Sequence, residues 1–204
     1  MTYVLGLDIG TTSTIGILIA LPDRVIATAS RPVTLSSPHA AWAEEDPAQW
    51  WQNVTEITRQ LIAEAGIAAD EIKAVGVAGM LPAVVLLDAE GNVLRPSIQQ
   101  SDGRAAQEVR DLRTEEDETA FIARAGNGIN QQLVATKLRW IERHEPDVFA
   151  RIATVLGSYD YINYRLTGTL SVERNWALEA GFIDITSHEV DPELVALAHI
   201  DTNQ

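Results

Sequence analysis

The sequence contains no cysteine, so it can build neither a disulfide framework nor a thiolate metal site. That fits a cytoplasmic protein, and the cytoplasm is the expected location. Positive charge is scarce: 15 Lys and Arg stand against 29 Asp and Glu, a formal net charge of −14. An acidic surface of this kind argues against nucleic acid and anionic membrane as main partners. Any phosphate ligand then needs local help from N–H groups, a metal or a basic side chain. Long apolar runs are also missing. The longest are strand-sized, and Asp8 breaks the first of them, so neither a membrane span nor a signal peptide is read. There is no internal repeat, no low-complexity segment, no Walker A motif and no Ser-His-Asp spacing. His39, His144, His188 and His199 are scattered, without metal-ligand spacing. What is present is 204 residues, 46% hydrophobic and 22% charged, enough for one good core and at most two small domains.

The chain is organised around its first fifteen residues. Tyr3 to Leu7 is an apolar run that reads as a strand buried on both faces. It ends in Asp8, then Gly10, then the hydroxyl residues Thr11, Thr12, Ser13 and Thr14, and the apolar pattern resumes at Ile15. Strand, tight turn and strand therefore meet at a carboxylate and a cluster of hydroxyls. Gly10 lets the backbone adopt φ > 0 or approach a ligand closely, and successive N–H groups in such a turn can form an anion nest. Asp8 would repel a bare phosphate, which makes sense if Mg²⁺ lies between them. The other reading is a hairpin turn whose hydroxyls satisfy local backbone groups. These residues alone leave both open.

Strands are expected over Tyr3–Ile9, Ser13–Ala20 and from Val25 to about Ser30, an antiparallel meander. Asp46-Pro47-Ala48-Gln49 starts a helix, with Asp46 as N-cap, Pro47 at N1 and Gln49 closing a capping box; Gly66 stops it. Trp50, Val54, Ile57, Leu61 and Ala65 give that helix a buried face, and Trp50 and Trp51 read as packing residues. The strand Ile72–Ala78 follows the helix and can pair parallel to the sheet. Three antiparallel strands, a helix and a parallel strand are the pattern of an α/β, actin-like (ribonuclease-H-like) domain: a mixed sheet with flanking helices. Further along, Ala83–Asp88 reads as a strand with its turn at residues 89–92. Asp102 reads either as a helix N-cap or as a ligand contact. Helices are expected from Arg104, from Glu115, from Val134 to His144, from a cap at Ser158, and from Asp191. Arg139, Glu142, Arg143 and Glu145 read as a solvated helix face with i,i+3 partners. Three strand-end stretches could converge on one crevice: Asp8 with residues 10–13, residues 79–82, and residues 99–102.

Six segments carry a resemblance, in order and spacing. They are Gly6-Leu-Asp8-Ile-Gly10-Thr-Thr-Ser13, Val84-Val-Leu-Leu-Asp88, Val93-Leu-Arg-Pro96, Asp102-Gly-Arg104, the stretch from Lys137 to Pro146, and Asp160-Tyr-Ile-Asn-Tyr-Arg-Leu-Thr-Gly168. Together they resemble the N-terminal domain of the FGGY carbohydrate kinases, most nearly the xylulokinase branch, over nearly the whole chain. That family moves the γ-phosphoryl of ATP to a sugar hydroxyl in a cleft between two actin-like domains. The resemblance implies ATP and Mg²⁺ as cofactors. It puts Asp8 beside the metal and phosphates, and Gly10, Thr11, Thr12 and Ser13 on the phosphate side. It implies Leu81, Pro82, Gln100, Asp102 and Gln132 as substrate-binding positions. The partner it implies is a small-molecule sugar or polyol; apart from the resemblance, a second copy of the chain is an expected partner, and nucleic acid and membrane are not.

Two departures qualify the likeness. Xylulokinases usually read Gly-Gln-Met-His-Gly where this chain reads Gly79-Met80-Leu81-Pro82-Ala83, and Trp-Asn-Asp where it reads Gln100-Ser101-Asp102. A hydrogen-bonding His becomes Pro82 and a stacking Trp becomes Gln100, in a site where hydroxyl recognition sets substrate choice. The family's catalytic base is an Asp in a later Gly-Asp segment, and none follows Ala180–Asp184. Residues 1–204 are thus expected to be the sugar-binding-side N-terminal domain, incomplete at its C-terminal end and without the second domain. The base is expected beyond residue 204, and this chain alone is expected to be inactive. The alternative is a non-catalytic actin-fold module that binds a nucleotide or sugar.

Overall fold

A computed structural model describes residues 2–204. The elements run β1 (Tyr3–Ile9), β2 (Ser13–Ala20), β3 (Arg24–Pro32), β4 (Glu44–Glu45), α1 (Pro47–Ala65), β5 (Ile72–Gly79), β6 (Val85–Leu87), β7 (Ser97–Ile98), α2 (Ala106–Glu115), α3 (Glu118–Ala125), α4 (Val134–His144), α5 (Pro146–Phe149), β8 (Thr154–Leu156), α6 (Ser158–Thr167), α7 (Arg174–Glu179), β9 (Ile183–Asp184), β10 (Glu189–Val190) and α8 (Pro192–Ala196). They pack into two compact units. The first holds residues up to Leu35, Glu45–Met80 and Ser158–Leu170; the second holds Ser36–Glu44, Leu81–Gly157 and Ser171–Gln204.

The first unit is a four-stranded mixed sheet in the order β3-β2-β1-β5, covered by α1 and α6. The expected meander is present: β1 pairs antiparallel with β2, and β2 with β3. The helical crossover then returns β5 parallel to β1. Alternation decides which face of β1 is buried: Tyr3, Leu5, Leu7 and Ile9 point into the core. The α1 face made by Trp50, Val54, Ile57 and Leu61 is fully buried. Close seating of α1 depends on Gly16, because a Cβ there would lie 2.3 Å from Ile57 Cγ2 and 3.1 Å from Leu61 Cδ1.

The ends of α1 follow the sequence reading with one correction. Asp46 Oδ1 accepts the Ala48 N–H at 2.8 Å, and Gly66 takes the left-handed conformation at φ 64°. Gln49 does not close a capping box. Its Oε1 instead accepts the Thr34 N–H at 2.9 Å, which fixes the end of the chain leaving β3. Trp50 is buried and its indole N–H donates to Glu45 Oε2 at 2.8 Å, while Trp51 lies under the Arg165 guanidinium, 4.6 Å away.

Glu45 is 1% exposed, and its other carboxylate oxygen has no hydrogen-bond partner among the described residues. Burial raises the carboxyl from 4.5 to about 7, with the Trp50 hydrogen bond pulling the other way. The folded state therefore holds a proton that the unfolded chain releases between about pH 4.5 and 7. Stability from this group is present below pH 4.5 and is lost as pH rises through about 7. Glu45→Gln keeps the neutral shape and removes the titration. Against the parent it should gain about 2–3 kcal/mol at pH 8 and nothing near pH 4.5. Urea unfolding of both proteins at the two pH values checks this; a gap that does not change with pH refutes it.

In the second unit β6 pairs antiparallel with β8, and helices pack around them. Leu86, Ile98, Leu112, Leu138, Ile141 and Trp176 are fully buried there. The turn expected at residues 89–92 is closed by Asp88, whose Oδ1 accepts the N–H groups of Asn92 and Glu90. Those bonds, the Asn92 backbone N–H first, hold its carboxyl below the usual range. The solvated face expected on α4 is different in the structure. Arg139 reaches Glu115, Arg143 reaches Glu108 and Asp111, and Glu142 meets His199. Local spacing suggested i,i+3 pairs, but α2 and the chain after α8 pack alongside and supply partners farther away in sequence. The helix expected from Arg104 begins at Ala106, and the one expected from Glu115 begins at Glu118 with Asp117 as its cap.

Candidate functional site

At the outer end of the first unit's sheet, β1 delivers Asp8 and turns into β2 through Gly10, Thr11 and Thr12. Backbone hydrogen bonds hold this turn: Gly10 N–H donates to Ser13 O at 3.1 Å, and Val33 N–H to Thr12 O at 3.0 Å. Gly10 is needed for close approach and not for a positive φ. A Cβ there would sit 3.0 Å from Ser13 O, and residue 10 is not among the positive-φ glycines. Asp8, Thr11 and Thr12 are exposed and Ser13 is half-buried. Among the described residues, the Asp8 carboxylate and the Thr11, Thr12 and Ser13 hydroxyls make no side-chain hydrogen bond. The hairpin reading, in which these hydroxyls satisfy local backbone groups, therefore has no support at these three positions.

The neighbouring strand end is equally close-packed. Gly79 of β5 lies beside Ile9, and a Cβ on it would fall 2.9 Å from Ser158 Oγ and 3.0 Å from both Ile9 Cβ and Ile9 O. Met80 N–H donates to Ile9 O at 3.0 Å. Ser158 is the first residue of α6, not a cap before it, and its hydroxyl donates to Met80 O at 2.9 Å. The C-terminal ends of the parallel strands β1 and β5 thus meet the start of α6, the kind of place where open α/β sheets carry ligands.

The second unit holds the remaining expected positions. Leu81 is half-buried and Pro82 buried, while Gln100 and Gln132 are exposed. Gln132 N–H donates to Asn130 Oδ1 at 2.8 Å, and the preceding Gln131 reaches Gly103, where a Cβ would lie 2.7 Å from its Oε1. Asp102 does not cap a helix, since α2 starts four residues later. It is 2% exposed and each oxygen is engaged. Oδ1 accepts Arg104 N–H and Nε–H, both at 2.9 Å. Oδ2 accepts Ala43 N–H at 2.6 Å and Arg104 Nη2–H at 2.8 Å.

Arg104 is the centre of this cluster. Its side chain is fully buried, pairs with Asp102 and with Glu44 Oε1 at 2.8 Å, and lies 3.8 Å over the Trp42 ring and 4.9 Å from that of Trp140. Glu44 also pairs with Arg95, which reaches Glu145 at 2.8 Å. Together with Gln99 N–H to Ala43 O at 2.9 Å and Gly103 N–H to Ala41 O at 2.7 Å, the cluster clamps residues 41–44 to residues 99–104. Trp42, Glu44, Arg104 and Lys137 contribute to this cluster, and sequence reasoning did not single them out as candidates. Lys137 left a signal as a charged residue among apolar positions of α4, and Arg104 stood in one of the segments that carry the resemblance.

The residues at Asp8–Ser13 fit a magnesium–phosphate ligand in donor chemistry. They offer oxygen only, from one carboxylate and three hydroxyls, and Mg²⁺ prefers oxygen, commonly taking one or two carboxylates with substrate phosphates and water. Among the described residues no group of three or more His, Cys, Asp or Glu could hold a metal ion.

Residues 3–204 match the family described as the FGGY family of carbohydrate kinases, N-terminal domain. The chain is 32% identical over 200 residues to the xylulose kinase of Escherichia coli (strain K12), covering 98% of this chain and 40% of that protein. The crystal structure of xylulose kinase from Rhodospirillum rubrum superposes with a TM-score of 0.94 at 63% identity, covering 98% of this chain and 42% of that one. Plasmodium falciparum glycerol kinase with ADP superposes at a TM-score of 0.90 with 18% identity, a likeness of fold alone. The chain thus spans about 40% of the length of the curated relatives it matches.

Proposed function

We propose, from the premise that this chain belongs to the FGGY family of carbohydrate kinases as its N-terminal domain, that a protein of its relatives' length phosphorylates a sugar or polyol with Mg·ATP. The observation that carries the reading in this chain is the turn at Asp8, with a carboxylate and three hydroxyls that no side-chain hydrogen bond engages among the described residues. When bound, Mg·ATP supplies the phosphoryl group and neutralises charge as that group transfers. Asp8 holds the metal side of the ligand, and Thr11, Thr12 and Ser13 hydrogen-bond phosphate oxygens. Positioning and electrostatics are most of what such a transfer asks of a protein.

The sugar falls to the second unit. Leu81 and Pro82 give it an apolar wall, and the Gln100 and Gln132 amides offer both donors and acceptors to a polyol. Asp102 serves it through the segment it holds, since its oxygens are already engaged. The substrate class is a ketose like the one named for the xylulose kinase relatives, with Pro82 and Gln100 tuning the choice. None of these groups is placed as a base, so the 204-residue chain alone is expected to give no turnover.

Coupled ADP-release assays over a panel of pentuloses and polyols test this. Sugar-dependent ADP release by the full-length protein, with silence from the 204-residue chain, is the expected result. Silence of the full-length protein on every compound, with sugar binding retained, would favour a non-catalytic binding module. Turnover by the chain alone would overturn the statement that no base lies within it.

A further inference from the structure

The buried face of α4 is apolar at Val134, Leu138 and Ile141, yet it carries Lys137, which is 0% exposed. Its Nζ donates to two carbonyls far apart in sequence, Pro82 O at 3.1 Å and Gln99 O at 3.0 Å. A buried ammonium is costly unless it is hydrogen-bonded. The environment weakens the charge: desolvation lowers the Lys137 amine to about 7, against the opposing pull of Asp102. An apolar side chain would fill an apolar helix face more cheaply, so what the amine does here is join two carbonyls. Those carbonyls belong to the two segments that carry Leu81, Pro82, Gln100 and Asp102.

The surroundings leave few other links between the segments. The strand-like contact beside them is a single bridge, Val84 with Ile98, made by Val84 N–H to Ile98 O at 2.9 Å and its return bond at 3.2 Å. Gln99 is itself fully buried, with its Nε2 on Ser97 O and its Oε1 without a hydrogen-bond partner among the described residues. The Gln99 main chain is held by its N–H bond to Ala43 O on one side, and on the other its carbonyl accepts from Lys137 Nζ at 3.0 Å and from Asp102 N–H at 3.2 Å.

We infer that Lys137 is a positioning residue for the sugar side of the site, fixing the spacing between residues 81–82 and 99–102 from beneath through Pro82 O and Gln99 O. This rests on the functional reading above, in which those segments meet the sugar.

The test uses the full-length protein and its Lys137→Met variant, which keeps an unbranched apolar stem and removes the donors. The readouts are KM for the sugar, KM for ATP, kcat, and amide hydrogen exchange at Val84 and Asp102. The expected result is a rise of about tenfold in sugar KM, ATP KM within about twofold, and faster exchange confined to residues 81–84 and 99–102. Should Lys137→Met fail to accumulate as folded protein, Lys137→Gln, with a shorter stem, replaces it with the same readouts. Unchanged sugar KM, or parallel changes in both KM values with faster exchange throughout the chain, would overturn the inference. A parent protein that phosphorylates none of the panel would instead refute the kinase reading, and exchange confined to the two segments would still report the link itself.

Discussion

Asp8→Ala in the full-length protein should lower kcat at least about a thousandfold, about 4 kcal/mol of barrier, while sugar affinity stays within about twofold. The magnitude follows from the place of the carboxylate. It stands at the end of β1, exposed, next to the hydroxyls of Thr11, Thr12 and Ser13, and is the acidic residue of that turn. Removing it leaves the metal side of the phosphate ligand unheld at the moment charge develops. The fold should not notice, because Asp8 joins the sheet through its backbone, opposite Ile15 and Ala78, and its side chain makes no hydrogen bond among the described residues. Exposed positions without partners usually change stability by under about 0.5 kcal/mol. Steady-state kinetics with a sugar titration by calorimetry separates the two effects. Unchanged kcat would remove Asp8 from the phosphate side, and loss of sugar binding would place it on the other.

Arg104→Met should cost about 3–5 kcal/mol of stability, the loss expected when one partner of a buried ion pair is removed. The guanidinium is the only cation paired with Asp102 among the described ion pairs, and Asp102 is 1% exposed at its side chain. Glu44 keeps Arg95, so the stranded charge is mainly that of Asp102. Residues 41–44 are then held to residues 99–104 by the Ala43 N–H bond to Asp102 Oδ2 and by backbone bonds, and the Gln100 segment loosens. Urea unfolding followed by tryptophan fluorescence is a direct readout, since Arg104 lies over Trp42 and near Trp140. Adding Asp102→Asn to Arg104→Met should recover part of the loss by neutralising the orphaned carboxylate. A loss below about 1 kcal/mol would mean that the cluster does not organise this segment.

What could be read from the sequence depended on how local the determining interaction is. The meander and crossover were legible because the apolar run of β1, helical spacing from Trp50 to Leu61, and the Asp46 and Gly66 caps are all written within a few residues, whereas the alternating burial of β1 came only with the structure. The turn between β1 and β2 at Asp8 was legible for the same reason. The Asp102 cluster was not. Asx residues before a helix suggest a cap, but here Ala43, which is 59 residues away, and Arg104 compete for the carboxylate and win. Gln49 is a second case, drawn from the capping box to Thr34 by the chain leaving β3. The α4 charges form a third, since their partners lie on α2 and after α8. Lys137 lies between these extremes. Its helical spacing puts it on one face with Leu133, Trp140 and Ile141, but only the tertiary structure shows that it is buried and supplies the two carbonyls it joins.

The central claim is that a protein carrying this N-terminal FGGY domain transfers a phosphoryl group to a sugar, with the Asp8 turn on the phosphate side. Phosphorus NMR of the full-length protein with Mg·ATP and the pentulose and polyol panel tests it most directly. The account predicts a sugar phosphate ester that appears in one-to-one proportion with ADP, and none from the Asp8→Ala variant. ADP formed without any ester, or no ADP with any compound, would contradict it.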